Sequence, residues 1–425
     1  MATLLPAQAV AHAFRERYDL PLPLHLWLAA AGLTVALSFV VFAVAVQRGT
    51  SHRRVPLLHL HPIAIGALRA LSVFALALVI AAGLFGAQDP FRNFAPAFVW
   101  IAWWIGFTYL TAVVGDLWSV LNPWKVISPK GLLELPAAVG AWPAAALLLA
   151  FGWIEIVWHA NAHPAAIAWL AIGYSMLTWA GMFVFGREAW LRSGEVFTLY
   201  FGFIARLAPI EWRANHELHL RSPGAGLLDP RPVSPSEAFF IVVMLASVTF
   251  DGLRETPLWA VSDAHWSAAT TAGLFALPFL FTLVIFGVCA LMGPAPPGEL
   301  LRQFVPTLLP IAFAYHVAHY LSYLLVGGQI VIPLASDPLG RGWDLLGTAN
   351  YRIAMGVVGA RFAWYTSVVV IVAGHVLAMY IAHRLALERF PERRIAHRSQ
   401  YPLAALMVGY TMLSLWILAQ PLVVK

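Results

Sequence analysis

Two histidines and two tyrosines share one side of an otherwise apolar stretch, residues 303–327. His316, His319, Tyr320 and Tyr323 recur at i, i+3, i+4 and i+7, positions that lie on one face of an α-helix. In a helix that crosses a membrane, ionisable side chains cost roughly 2.5–3.5 kcal/mol each on insertion scales and usually mark a working site. The spacing makes this face the first candidate for catalysis or transport.

A second polar face and a third histidine lie on other apolar stretches. In residues 247–259, the side chains at i, i+4, i+7 and i+8 are Ser247, Asp251, Arg254 and Glu255. His375 lies midway along a further stretch. Counting about 1.5 Å of helical rise per residue places these groups between the middle of the membrane and its outer surface.

The combined donors suit a transition metal. Imidazole nitrogens and a carboxylate bind zinc, iron or manganese, and a bound divalent ion lowers the pKa of water to about 7. The predicted ligand set is His316, His319, His375 and Asp251. Haem with His316 and His375 as axial ligands is a less favoured alternative.

The same residues allow two other interpretations. They can form a relay for protons or substrate, or a structural network of hydrogen bonds across helices. Asp251 and Arg254, three residues apart, can also neutralise each other as an ion pair.

Another polar group lies near the predicted cytoplasmic surface. The segment GDLWSVLNPW (115–124) contains Asp116 and Asn122, and Glu188 and Glu195 belong to the same side. Since Asn-Pro ends helices, the favoured interpretation is an interfacial belt in which Asn122 is a cap. Two communicating polar sites on opposite sides would instead indicate a transporter.

Composition defines the class of protein. The chain has 425 residues, of which 61% are hydrophobic and 11% charged, which a soluble protein could not accommodate. The net charge of +6 does not indicate nucleic acid as a partner, because the basic residues are spread through short loops. A single cysteine, Cys289, excludes disulfides, thiolate zinc sites and iron–sulfur clusters. The N-terminus has no predicted signal peptide.

The hydropathy pattern predicts an all-α polytopic membrane protein, with a segment 1–25 followed by one transmembrane domain, 26–425. One more apolar segment, 194–210, is predicted to be an interfacial or re-entrant helix. Loop 211–235 is predicted to be cytoplasmic, and loop 328–360 to lie outside with a lid or re-entrant part. The ten predicted spans are 26–47, 66–86, 96–119, 135–157, 163–185, 236–258, 270–292, 302–327, 361–383 and 402–421.

Charge distribution sets the predicted orientation. Most of the 26 Lys and Arg residues fall on one side if both termini are outside and 194–210 does not cross. The positive-inside rule therefore predicts a multi-pass protein of the bacterial inner membrane, with the N- and C-termini outside. Nothing in the sequence indicates an oligomeric state.

Several motifs between about residues 90 and 385 occur in the same order in a known family. The chain resembles the bacterial family of multi-pass membrane proteins named fenitrothion hydrolase. The positions that match its pattern are Asp116, Asn122, Glu195, Asp251, His319, Gln329, Asp337 and His375. The motifs are NFAPAFVWIAWWIGF (93–107), GDLWSVLNPW (115–124), GEVFTLYFGFIARLAPI (194–210), SVTFDGLRETPLW (247–259), AHYLSYLLVGGQ (318–329), DPLGRGWDLLGT (337–348) and AGHVLAMYIAHR (373–384).

The resemblance implies a membrane-embedded hydrolase for an aryl phosphorothioate ester. The mechanism expected from the residues is metal-assisted, with Asp251 and His319 at the metal and Arg254 stabilising the charged oxygens. The expected partners are the lipid bilayer and a small hydrophobic molecule that enters from it. The alternative is a transporter or channel for a metal, a proton-coupled solute or an apolar compound.

Overall fold

The computed structural model describes residues 20–46, 54–213, 216–229, 231–259 and 265–423. Residues 1–19 of the predicted N-terminal segment therefore lie outside the described residues. The helices in the described part of the chain are α1 (Leu24–Ala45), α2 (Pro62–Phe85), α3 (Phe94–Val114), α4 (Trp118–Leu121), α5 (Trp142–Ile156), α6 (Pro164–Phe185), α7 (Arg187–Ser193), α8 (Val196–Ala205), α9 (Pro235–Arg254), α10 (Trp266–Leu291), α11 (Pro297–Phe304), α12 (Leu309–Gly327), α13 (Val331–Ser336), α14 (Ala360–Arg389), α15 (Arg393–Ser399) and α16 (Tyr401–Val423). The strands are β1 (Val55–His59), β2 (Ile210–Trp212) and β3 (Glu217–Leu220).

Ten spans are long and apolar enough to cross a membrane within the described residues, which confirms the polytopic all-α prediction. They are α1, α2, α3, Ala137–Ile156 (including α5), α6, α9, α10, Pro297–Ser336 (α11 to α13), α14 and Arg393–Gln420 (α15 and most of α16). Helices of this length and hydropathy can cross a bilayer, because the helix satisfies their backbone polar groups and their apolar side chains can face lipid or other helices. The chain is therefore a multi-pass membrane protein.

Helix ends follow local sequence signals. At the start of α9, Ser234 and Glu237 form a capping box, and Pro235 occupies the first turn. Gly186 ends α6 with φ of 85°, a conformation that favours glycine. The third span was predicted to continue to residue 119, but it ends at Val114 because Gly115 adopts φ of 87°.

The centre of the bundle is α9, the most enclosed of the ten spans. It packs against α5, α10 and α12, while α14 packs against α12 and α1. Contact between α12 and α14 is very close: a Cβ added at Gly374 would lie 2.4 Å from Ala314 Cβ and 2.8 Å from the Pro310 carbonyl oxygen. Because α9, α12 and α14 carry the candidate residues, those residues lie on helices that pack closely against one another.

The middle of α3 is a π-helix, Ala97–Gly106, in which the backbone hydrogen bonds join i to i+5. Such segments are rare in proteins, and many of those that do occur lie at functional sites. Two adjacent tryptophans on this segment have different surroundings. Trp103 contacts Phe197 at 4.6 Å between ring centroids, and Trp104 contacts Tyr200 at 4.7 Å.

Two short segments enter the bundle from one end and return to it. After Gly115 the chain reverses, so that Trp118 lies 5.9 Å from Trp103 and 5.7 Å from Phe107 between ring centroids. The segment returns at Leu132, whose N–H donates to Val184 near the end of α6. We call residues 116–126 the first re-entrant segment.

The second re-entrant segment, residues 187–205, consists of α7 and α8. The turn between these helices reaches Tyr174 in the middle of α6, and α8 returns so that Phe203 lies 5.8 Å from Phe240 near the start of α9. Ten residues of helix span about 15 Å, too short to cross a membrane. The segment 194–210, predicted to be an interfacial or re-entrant helix, contains the short helix α8, and the burial of eight of its ten residues favours the re-entrant alternative.

A three-stranded antiparallel sheet of order β1-β3-β2 covers the end of the bundle from which both re-entrant segments enter. We call this end the sheet end, and the opposite end, which carries residues 337–359, the loop end. The predicted polar loop 211–235 is thus partly ordered as β-structure. Glu211 links the strands, since its carboxylate pairs with Arg54 at 3.1 Å and Arg213 at 3.2 Å.

Candidate functional site

The centre of the candidate site is the carboxylate of Asp251, near the loop end of α9. Its side chain is only 5% exposed. Arg254 Nε donates to Oδ1 at 2.7 Å, and His319 Nε2 donates to Oδ2 at 2.9 Å. The hydroxyl of Tyr320 also donates to Oδ2. A carboxyl group that accepts from three donors, one of them a guanidinium, is held in its ionised form.

This contact determines the chemistry available to His319. Because Nε2 donates its proton to Asp251, the neutral ring has its lone pair on Nδ1. The His319 side chain is 20% exposed, four times the exposed fraction of Asp251. The contact with the carboxylate fixes the orientation of the imidazole, so Nδ1 is the ring nitrogen that can accept a proton.

Arg254 is balanced by two acidic residues on its own helix and the turn that follows. Besides its contact with Asp251, its guanidinium lies 3.5 Å from the Glu255 carboxylate. The predicted ion pair of Asp251 with Arg254 is present in the structure. It is one part of a larger network, because His319 and Tyr320 bind the same carboxylate.

The sequence analysis missed Glu155, the penultimate residue of α5. Its carboxylate accepts from Trp104 Nε1 at 2.8 Å, and it lies close enough to Asp251 and Arg254 to interact electrostatically with both. The available signal was a lone carboxylate at the end of the apolar segment 142–156. Glu155 brings a third helix to the site, and a third carboxylate beside those of Asp251 and Glu255.

His316 lies beside the site but does not bind Asp251. Its ring packs against Tyr320 at 4.8 Å and Tyr109 at 5.6 Å between centroids. The side chain is buried, and within the described residues Nε2 has no hydrogen-bond partner. His316 therefore contacts Tyr320, which in turn donates to the carboxylate of Asp251.

His375 lies in a different place. Its Nδ1 donates to the Ile371 carbonyl at 2.8 Å, and its ring lies 5.9 Å from the ring of Tyr410. Tyr410 in turn shares a hydrogen bond with Thr249, two residues before Asp251 on the adjacent face of α9. The depth estimate was compatible with a shared site, but the ring faces α16 instead.

The four predicted ligands do not fit a resident metal. In the part of the chain that the structure describes, no three His, Cys, Asp or Glu side chains are grouped so as to hold an ion. One nitrogen of His319 is bonded to Asp251, which makes Asp251 a partner of the imidazole. Haem between His316 and His375 does not fit either, because α12 and α14 are in direct contact at Gly374.

The second polar cluster centres on Glu195, at the turn between α7 and α8. Both carboxylate oxygens cap α8, accepting from Phe197 N at 3.1 Å and Thr198 N at 2.8 Å. The Thr198 hydroxyl on α8 donates to it too. Donors from other segments are Asn122 Nδ2 at 3.0 Å, Tyr174 OH at 2.6 Å and Trp118 Nε1 at 3.4 Å. Glu195 thus joins the two re-entrant segments to α6.

The predicted interfacial belt is only partly interfacial. Glu195 and Asn122 are 0% and 2% exposed, while the Glu188 side chain is 70% exposed. Burial raises the pKa of Asp116, and nearby Lys125 acts in the opposite direction. Asn122 caps the turn that follows, as expected, but its amide also bonds Glu195.

An apolar cavity of about 630 Å³ lies between α2, α3, α5 and α6. Trp103 lies in its wall, whereas the adjacent Trp104 faces Glu155 and the polar site. The π-helical part of α3 therefore separates an apolar compartment from the acid–base groups.

No protein-family model, curated protein or solved structure is similar enough to this chain to count as a match.

Proposed function

We propose that this protein is a membrane-embedded hydrolase for an uncharged hydrophobic ester, with His319 as its general base. The observation that carries the proposal is the 2.9 Å contact between His319 Nε2 and Asp251 Oδ2, which leaves Nδ1 free to take a proton. The resemblance to the fenitrothion hydrolase family supports the same reaction class, and Asp251 and His319 are among the positions that match its pattern.

The proposed chemistry uses water as the nucleophile. His319 Nδ1 removes a proton from water as its oxygen attacks the phosphorus or acyl carbon of the ester. The imidazolium formed is stabilised by the adjacent Asp251 carboxylate, to which it stays hydrogen-bonded. The bond to the aryloxide leaving group breaks, and the proton passes from His319 to that leaving group, so atoms and charge balance.

Arg254 is the group proposed to stabilise negative charge on the transferred centre. It is already neutralised by Asp251 and Glu255, so it has no net charge to offer to an anionic ligand. A neutral ester requires no counter-charge on binding and acquires charge only in the transition state. This favours an uncharged substrate over an anionic one.

The test is turnover of an aryl phosphotriester and an aryl carboxylate ester by protein reconstituted in lipid. We expect His319→Ala to lower kcat/KM by about 10²–10⁴-fold, the range for loss of a general base. Asp251→Asn should lower it too, because an amide does not stabilise the imidazolium. His159→Ala is the matched control, because His159 is exposed and lies in the loop between α5 and α6.

Two further readouts separate catalysis from structural damage. Added imidazole should restore part of the turnover of His319→Ala, and turnover of the native protein should survive chelation of divalent metals. Full activity in His319→Ala would overturn the proposal. Activity that disappears with chelation and returns with one metal would replace it with the metal-assisted mechanism.

A proton-coupled transporter is the second candidate, and Glu155 is the observation that favours it. Glu155, Asp251 and His319 are titratable groups on three helices that lie close together inside the bundle. Linked groups of this kind form proton relays in membrane transporters. Flux of a chemically unchanged solute in proteoliposomes, lost in Glu155→Gln, would favour the transporter; ester cleavage without such flux would favour the hydrolase.

A further inference from the structure

The apolar cavity is enclosed by aromatic rings whose polar atoms bond elsewhere. Trp100 Nε1 donates to the Asn161 carbonyl, and Trp124 Nε1 to Ser175 Oγ, each at 2.8 Å. Trp118 and Tyr174 both donate to Glu195. The donors of these four side chains are therefore already bonded, and most of the other lining residues are apolar, so the wall favours a hydrocarbon over a polar ligand.

The cavity opens towards the part of the surface that faces lipid. Among its lining residues, Leu71 on α2 and Trp169 on α6 are 60% and 63% exposed, on helices that rank among the outer spans of the bundle. In a membrane, the apolar molecules at this surface are the hydrocarbon chains of the bilayer. The volume of about 630 Å³ falls in the range of sites that enclose a small ligand.

We infer that this cavity is a binding site for one acyl chain of a bilayer phospholipid. The chain lies against Trp103, Trp118, Trp124 and Phe197, which line the cavity, with its headgroup remaining in the surrounding leaflet. The inference stands on the cavity alone and does not depend on the proposed hydrolase activity.

Gly173 makes the site testable, because it lines the cavity on α6 and a Cβ added there meets no atom within 4 Å. Gly173→Leu should therefore fold normally while its side chain occupies the space of several methylenes. Gly287 on α10 is the matched control, since it is exposed, lies outside the cavity and also has open space at its Cβ.

The experiment reconstitutes the full chain in phosphatidylcholine that carries a photoactivatable diazirine near the end of one acyl chain. After irradiation, mass spectrometry measures adducts on three wall residues that are 4–5% exposed, Trp118, Trp124 and Phe197. Adducts on the exposed face of α10 provide the internal reference for contact with bulk lipid.

We expect adducts on the three buried wall residues in the native protein and in Gly287→Leu. In Gly173→Leu the ratio of wall to reference adducts should fall by about tenfold or more. The leucine side chain takes the place of part of the acyl chain, and the apolar contacts that the acyl chain loses are worth enough free energy to lower its occupancy by that factor. Ala171→Leu, also in the wall, serves as a second variant if Gly173→Leu does not fold.

Two results would overturn the inference. The first is a wall that takes no label while the outer face of α10 does. The second is wall labelling that persists undiminished in both filled variants.

Discussion

Asp251 carries a full negative charge in a place where water cannot stabilise it, and three donors replace the missing solvent. Two of these donors come from adjacent residues of α12, His319 and Tyr320. The third, Arg254, belongs to α9 itself. The carboxylate thus ties two helices together at the same time as it orients a base, so its removal should affect stability and activity separately.

Asp251→Ala should destabilise the protein by about 3 kcal/mol, because the Arg254 guanidinium, whose side chain is only 16% exposed, is left with the longer contact to Glu255. Unfolding of the detergent-solubilised protein followed by circular dichroism measures the change. The double variant Asp251→Ala with Arg254→Ala should regain part of the loss, since the guanidinium that lost its shorter ion pair is then absent. A single variant as stable as the native protein would contradict the role of the ion pair.

Sequence reasoning identified Asp251, Arg254 and His319 because each lies on a polar face of one helix, where spacing alone is informative. It placed His375 with them because depth along a helix can be counted. Rotation about the helix axis relative to a neighbour cannot be counted, and the His375 ring faces Tyr410. Glu155 was missed for a different reason: it has no polar neighbour on its own face of α5, so no spacing pattern marks it.

At the scale of elements, the re-entrant segments depend on one another for their polar groups. The N-terminus of α8 lies inside the bundle and is capped by Glu195, whose other donors come from the first re-entrant segment and α6. A carboxylate at a helix N-terminus also interacts favourably with the helix dipole. One side chain therefore supports three elements.

Glu195→Ala should cost about 3 kcal/mol or more, because it removes a helix cap and leaves buried donors of Asn122 and Tyr174 unsatisfied. Glu188→Ala is the matched control on the adjacent helix, and its exposed ion pair with Arg187 should contribute roughly 1 kcal/mol or less. Thermal unfolding in detergent compares the two. Equal losses would show that Glu195 does not join the segments.

The long elements were predictable, and the irregular ones were not. Hydropathy located all ten spans within a few residues at most ends, because the bilayer fixes their length. The π-helix in α3 has no apolar period that distinguishes it from an α-helix. The sequence analysis assigned the first re-entrant segment partly to the third span, 96–119, and partly to the loop that follows. The reversal at Gly115 is revealed only by contacts between Trp118 and rings distant in sequence.

At the scale of the whole molecule, the sheet and both re-entrant segments lie at one end of the bundle, and residues 337–359 lie at the other. The positive-inside rule assigns the sheet end to the cytoplasm. That assignment would place the Asp251 site near the outer surface, where an apolar ester that partitions into the outer leaflet reaches it first.

Cysteine labelling tests this orientation. The native Cys289 is buried, so Cys289→Ala gives a suitable background. In spheroplasts, a membrane-impermeant maleimide should label Leu345→Cys at the loop end and leave Ser222→Cys, near the sheet, unlabelled. Permeabilised cells should show labelling at both positions. Labelling of Ser222→Cys alone in intact spheroplasts would reverse the orientation.

The mutual support of the two re-entrant segments has a consequence for how the protein is assembled in the cell. Neither segment can be stable in lipid alone, because each carries buried polar groups that only the other segment and α6 satisfy. The ribosome delivers the first segment before α6 and the second have been synthesised. We therefore expect residues 116–126 to reach their final place only after the chain has been synthesised as far as Ala205.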